Sequence, residues 1–207
     1  MTRKAAALRH LKQADPRFYE VTRPHHRSLP AHLPEKRTRT ALFETLTSIV
    51  IAQQLGTAAA GAIFARVQAA CQGRLTPLSI LKIKPATFRR AGLSLAKTKT
   101  LKTIAAAIES GSLDLLALKT LSEAEASRAL MNIWGLGPWS VDMFMMFALG
   151  RTDVFSSGDL GLVRAIETIY RLPKDSSRDT LLTIAKKWSP YRTYACLLLW
   201  KTRDAEF

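Results

Sequence analysis

Cysteine is almost missing from this 207-residue chain: Cys71 and Cys196 stand alone, with no Cys-x-x-Cys pair and no close Cys/His cluster. That spacing argues against a disulfide framework, an iron–sulfur centre and a structural zinc site, and leaves both residues as small buried hydrophobes. Acidic residues are also scarce, 16 against 31 Lys and Arg, so the chain carries a net charge of +15. An excess of this size favours a polyanionic partner, nucleic acid or an acidic membrane surface, over a merely solvated cationic exterior. There is no run of about 18 uncharged apolar residues, and the basic start lacks an apolar segment of the signal-peptide kind. The expectation is a soluble protein of the cell interior. Alternating β patterns and Asn-Gly or Asp-Gly hairpins are lacking as well, whereas apolar residues recur at helical spacing nearly throughout. The predicted fold class is all-α.

The first forty residues hold 10 Lys and Arg against 3 Asp and Glu, which concentrates positive charge at the N-terminus. Residues 1–14 fit a basic helix, while residues 21–37, with three prolines, read as irregular chain in which His25, His26 and His32 are solvated. From Thr40 to Val67 runs a long apolar-periodic segment, broken at Gly56 into two helices. Ser94 is placed to cap a helix reaching Gly111, and Lys97, Lys99 and Lys102 within it read as a solvated face with phosphate contact as the alternative. Ser122 with Glu125, and Ser176 with Asp179, have the capping-box spacing. No repeat or composition break marks independent domains. The chain reads as one domain: a basic region over 1–40, a helical lobe over about 41–135, then the remaining helices over about 136–207.

In "GLGPW", 135–139, Gly135 and Gly137 provide conformational freedom and Pro138 is pre-set for the first turn of a new helix. The result is a helix, a tight turn and a second helix whose unpaired N–H groups and positive end suit a phosphate. By itself this pattern more often marks an ordinary connection between helices. The following stretch, "PWSVDMFMMFALG", is apolar on nearly every side and predicts a buried helix. Asp159, 22 residues after Gly137, stands where a helix N-cap belongs, with Asp142 and Asp153 as rival carboxylates.

These segments, in their order, resemble the helix-hairpin-helix DNA glycosylase superfamily and within it the 3-methyladenine DNA glycosylase II branch. The shared parts are "SIVIAQQLGTAAA" at 48–60, "AGLSLAKTKTLKTIA" at 91–105, "NIWGLGPWSVDMF" at 132–144, "DVFSSGDLGL" at 153–162 and "WSPYRTYACLLLW" at 188–200. The resemblance implies a two-lobed helical fold with the active-site cleft between lobes, without the extra N-terminal β-containing domain of larger relatives. It assigns Asp159 as the catalytic carboxylate and Leu55, beside Gln54, as the wedge that enters the base stack. Trp139 and Trp200 match aromatic positions of the base pocket, and Met143 falls where some relatives carry a pocket tyrosine. Gly135, Leu136 and Gly137 would meet a DNA phosphate, and the backbone carbonyls of Met131, Ile133 and Leu136 would hold a structural Na+ or K+. The position where strand-cutting relatives carry a Schiff-base lysine is Trp139, which points to base removal without strand cleavage and without a catalytic cofactor.

The chemistry agrees with that assignment. A purine alkylated at N3 or N7 is already cationic and a good leaving group, so one carboxylate near the sugar suffices to stabilise an oxocarbenium-like transition state and to position water. Tryptophan faces attract a cationic base. The implied protein is a monomeric base-excision-repair glycosylase acting on double-stranded DNA with alkylated bases, cytoplasmic and nucleoid-associated, or nuclear in a eukaryote. Two alternatives stay open: a non-catalytic damaged-DNA-binding module, and a glycosylase of deaminated or oxidised bases.

Overall fold

The computed structural model describes residues 1–205, and among them every regular element is helical. Twelve α-helices follow one another: α1 (Arg3–Ala14), α2 (Pro16–Thr22), α3 (Arg39–Ala52), α4 (Thr57–Ala70), α5 (Pro77–Lys82), α6 (Pro85–Ala91), α7 (Leu95–Glu109), α8 (Glu123–Met131), α9 (Pro138–Phe147), α10 (Leu160–Tyr170), α11 (Arg178–Lys186) and α12 (Arg192–Ala205). Most begin on a hydroxyl or carboxylate that accepts one of the N–H groups the first turn leaves unpaired. Thr2, Asp15, Thr38, Thr76, Ser94, Ser122, Asp159 and Ser177 fill that position. Ser122 and Glu125 close the expected capping box. Ser176 does not cap: its hydroxyl donates back to the Pro173 carbonyl at 2.7 Å and its N–H to the Glu167 carboxylate at 3.0 Å, and the cap is Ser177, whose hydroxyl receives the Thr180 N–H at 3.2 Å.

The chain divides into two compact units, residues 35–149 and residues 1–34 together with 150–207. The crossover therefore falls at Gly150, beyond the hairpin, rather than near 136. The reason lies in α9, which packs on α3 and α8 and so keeps the hairpin within the 35–149 unit.

In the 35–149 unit α3 is central and packs against α4, α7 and α9. Leu42, Phe43, Leu46, Val50 and Ile51 of α3 meet Leu101, Ile104 and Ala105 of α7 and Val141, Phe144 and Met146 of α9 in a core closed to water. Six of the ten residues of α9 are buried, as its all-round apolarity predicts.

In the other unit, Leu11, Phe18, Trp188, Tyr194, Leu198 and Leu199 are fully enclosed. The Phe18 and Trp188 rings lie 4.7 Å apart. At their edge Asp15, only 4 % exposed, accepts the Phe18 N–H at 3.1 Å, the Trp188 indole N–H at 3.2 Å and the Tyr170 hydroxyl. Burial, together with this carboxylate, pushes the Tyr170 phenol far above its ordinary pKa. The N-terminal segment is thus built into this unit. His26 departs from the solvated reading, since it is buried against the Tyr19 ring, bonds the Thr22 hydroxyl at 3.1 Å and titrates below the ordinary histidine range because burial disfavours its charge. Cys71 and Cys196 are buried thiols, and the Cys196 Sγ donates to the Val154 carbonyl at 3.7 Å.

Candidate active site

Asp159 precedes α10 in an extended conformation, φ −82° and ψ 112°, and its Oδ1 accepts the Leu162 N–H at 3.0 Å. The same oxygen accepts the indole N–H of Trp200 on α12 at 3.1 Å. The carboxylate is therefore fixed by a helix start and by a side chain 41 residues away, at the positive end of α10, where negative charge is favoured. Capping and positioning are one arrangement here, because a carboxylate that caps a helix is also held still.

Arg203, one turn beyond Trp200 on α12, reaches the same place. A Cβ added to Gly161 would lie 2.2 Å from Arg203 Nη1 and 3.1 Å from Asp159 Oδ1. The glycine thus leaves the space that brings a guanidinium close to the carboxylate. In the sequence nothing in its spacing distinguishes Arg203 from the other basic residues of the last helix.

The rival carboxylate Asp153 is committed elsewhere. Its Oδ1 and Oδ2 face Arg192 Nε and Nη2 at 2.7 and 3.0 Å, and Ser189 Oγ donates to Oδ2 at 2.7 Å. Burial works against its ionisation, but the bonds from Arg192 and Ser189 and the guanidinium charge outweigh it and hold the carboxyl below its usual range. Asp142 lies half-buried on α9.

The hairpin joins α8 to α9 in the 35–149 unit. Gly135 has φ +88°, and an added Cβ would strike Thr100 Oγ1 at 2.0 Å and Thr100 Cβ at 2.9 Å, so both conformation and space demand glycine. Gly137 differs from the expectation: φ −99° and ψ 177° suit any residue, and nothing lies within 4 Å of its missing Cβ. It stands where other helices carry a capping side chain, so the first turn of α9 has no side-chain cap and the space beside Gly137 is open. Leu136 is buried, Ile133 half-buried and Met131 exposed, and the Ile133 carbonyl receives the Leu136 N–H at 3.1 Å.

Trp139 is half-buried in the first turn of α9, and Met143, one turn on, is buried with 5 % of its surface exposed. Met143 therefore offers a base little surface in this structure. Leu55 is 40 % exposed in the turn between α3 and α4, next to Gln54, whose φ of +57° is rare outside glycine. The lysines after Ser94 are not a plain solvated face: Lys97 and Lys102 donate to backbone carbonyls, and Lys99 lies 4.1 Å from the Trp134 ring centre.

Residues 47–190 match the family described as HhH-GPD superfamily base excision DNA repair protein. The chain is 35 % identical over 163 residues to DNA-3-methyladenine glycosylase 1 of Schizosaccharomyces pombe, covering 77 % of this chain and 72 % of that one. It is 27 % identical over 128 residues to a DNA-3-methyladenine glycosylase of Bacillus subtilis, covering 62 % of this chain. It spans less than half the length of two Bacillus subtilis relatives, 44 % and 40 %. Among solved structures, the Schizosaccharomyces pombe 3-methyladenine DNA glycosylase Mag1 in complex with abasic DNA superposes with a TM-score of 0.87 at 32 % identity, over 96 % of this chain and 97 % of that one. A helical fold with this hairpin, an acid capping the helix that follows it, and a family match over residues 47–190 place the chain in the helix-hairpin-helix (HhH-GPD) superfamily of base excision DNA repair proteins.

Proposed function

We propose that this protein is a DNA glycosylase that hydrolyses the N-glycosidic bond of alkylated purines, of the 3-methyladenine and 7-methylguanine type, in double-stranded DNA. The observation that carries the reading is Asp159, held by the Leu162 N–H and the Trp200 indole at the start of α10. Relatives named as 3-methyladenine glycosylases support the substrate class.

The reaction breaks the bond between sugar C1′ and the purine nitrogen, and the base leaves with the bonding pair. A base made cationic by alkylation departs neutral, so no general acid is required at its ring. Positive charge then grows on the sugar, and the Asp159 carboxylate stabilises it and takes the proton of the water that attacks C1′. Trp200 fixes the carboxylate, and the face of a tryptophan, at 200 as at 139, attracts a cationic base, while the buried Met143 contributes little. Gly135, Leu136 and Gly137 bring the start of α9 to a DNA phosphate, and Leu55 with Gln54 fills the gap left by the extruded nucleotide. The carbonyls of Met131, Ile133 and Leu136 are an all-oxygen set suited to a hard monovalent cation, Na+ or K+, which would steady the hairpin. With Trp139 rather than lysine in α9, no Schiff base forms there and the strand is left uncut. The protein acts as a monomer, in the compartment that holds the DNA.

Purified protein should release methylated bases from alkylated duplex DNA without nicking it. The Asp159→Asn variant should keep binding to an abasic duplex but lose at least about 10²-fold in release rate, as expected for removal of a charge that acts in the transition state. Full activity in that variant would remove Asp159 from the mechanism.

A further inference from the structure

Gln54 holds a left-handed conformation that a non-glycine residue adopts at a cost, and such strain persists only where the surroundings over-determine it. The surroundings are specific. Lys97, in the first turn of α7, donates through Nζ to the carbonyls of Ile51 and Gln53, both at 2.7 Å. These lie at the C-terminal end of α3, where unpaired carbonyls attract a cation. The Gln53 amide then turns the other way and donates to the Gly135 carbonyl at 3.0 Å and to Ser140 Oγ at 2.8 Å. Thr100, three residues after Lys97 on α7, fills the space that glycine leaves at 135. One helix therefore braces both the turn carrying Leu55 and the hairpin, and one glutamine side chain joins them.

We propose that Lys97 and Gln53 are positioning residues that lock the turn at 53–56 to the hairpin, so that Leu55 enters the base stack in register with the gripped phosphate. This rests on the glycosylase reading above. Neither residue needs to touch the reacting atoms. Lys97 acts on the α3 carbonyls and through them on the conformation of Gln54. Burial lowers the pKa of the Lys97 ammonium, as expected for a charge that serves the backbone rather than solvent.

The test separates base-stack entry from chemistry. Wild type, Lys97→Met, Lys97→Arg, Gln53→Leu and Leu55→Ala are bound to a duplex holding an abasic-site analogue beside 2-aminopurine, whose fluorescence rises on unstacking. Each is also assayed for single-turnover base release from alkylated duplex and single-stranded DNA of the same sequence. Lys97→Met and Gln53→Leu should reduce the fluorescence rise to that of Leu55→Ala and slow duplex release about tenfold, with single-strand release within about twofold of wild type. Lys97→Arg should recover most of both duplex signals. An unchanged fluorescence rise in folded Gln53→Leu or Lys97→Met, or equal losses on duplex and single strand, would overturn the proposal. A wild type that unstacks 2-aminopurine but releases no base would defeat the glycosylase reading alone, and the fluorescence arm would still decide the role of Lys97 and Gln53.

Discussion

Trp200 illustrates how one side chain acquires a role that residue type does not announce. Sequence and resemblance give it as an aromatic wall, but in the folded chain its indole N–H is spent on Asp159 Oδ1. A hydrogen bond to a charged acceptor contributes about 1.5–3 kcal/mol, and about 1.4 kcal/mol corresponds to a tenfold rate change. Trp200→Phe, which keeps a ring face and deletes the donor, should therefore lower single-turnover base release about 10- to 100-fold while abasic-duplex affinity changes less than about threefold. Equal losses in both measurements would return Trp200 to the role of a wall. Asp159 was legible in the sequence as a helix cap, because a cap is local, and only the resemblance gave it the part of the acid. Trp200 as its donor was not, since 41 residues separate the pair and only the packing of α12 on α10 joins them. Asp15 is a plainer case: it caps α2 locally, while its bonds to Tyr170 and Trp188 reach across more than 150 residues.

At the level of elements, the two hairpin glycines do different work. Gly135 meets a steric requirement: it combines φ +88° with a Thr100 side chain that leaves no room for Cβ. Gly137 lies in open extended backbone and leaves the start of α9 uncapped. Gly137→Ala should therefore leave the melting temperature within about 2 °C and weaken abasic-duplex binding about tenfold, because a methyl group would stand on the phosphate approach. Gly135→Ala should instead destabilise by roughly 2–3 kcal/mol in denaturant unfolding, from left-handed strain plus the Thr100 contact. Matching stability losses in the two variants would refute this division. The motif made both positions visible as glycine, but backbone angle and neighbours assign the reasons. The same holds for most caps, which depend on a residue and its next three neighbours. The exception is Ser176, whose hydroxyl turns back to the Pro173 carbonyl while Glu167, on another helix, takes the N–H that the expected box would have given to Asp179.

Over the whole molecule, the +15 net charge is the property that acts at longest range. It raises the local concentration of polyanions and makes binding depend on released counterions. For a footprint of about four phosphates, log affinity should fall with log salt at a slope near −3.6, so that affinity drops on the order of a hundredfold between about 50 and 200 mM salt. Filter binding to an abasic duplex measures this directly. A slope near zero would mean that the charge does not serve phosphate contact.

What the sequence determined alone follows from short-range rules: all-helical periodicity, the buried α9, the caps at Ser94 and Ser122, the hairpin glycines and the capping position of Asp159. Each depends on residues within about one helical turn, where backbone geometry leaves few outcomes. The tertiary structure decided which unit each segment joins, that Asp153 is taken by Arg192, that Arg203 lies near Asp159, and that Lys97 serves the α3 carbonyls. These are pairings between side chains distant in sequence. Charge and residue type permit many such partners, and the packing of particular helices selects one.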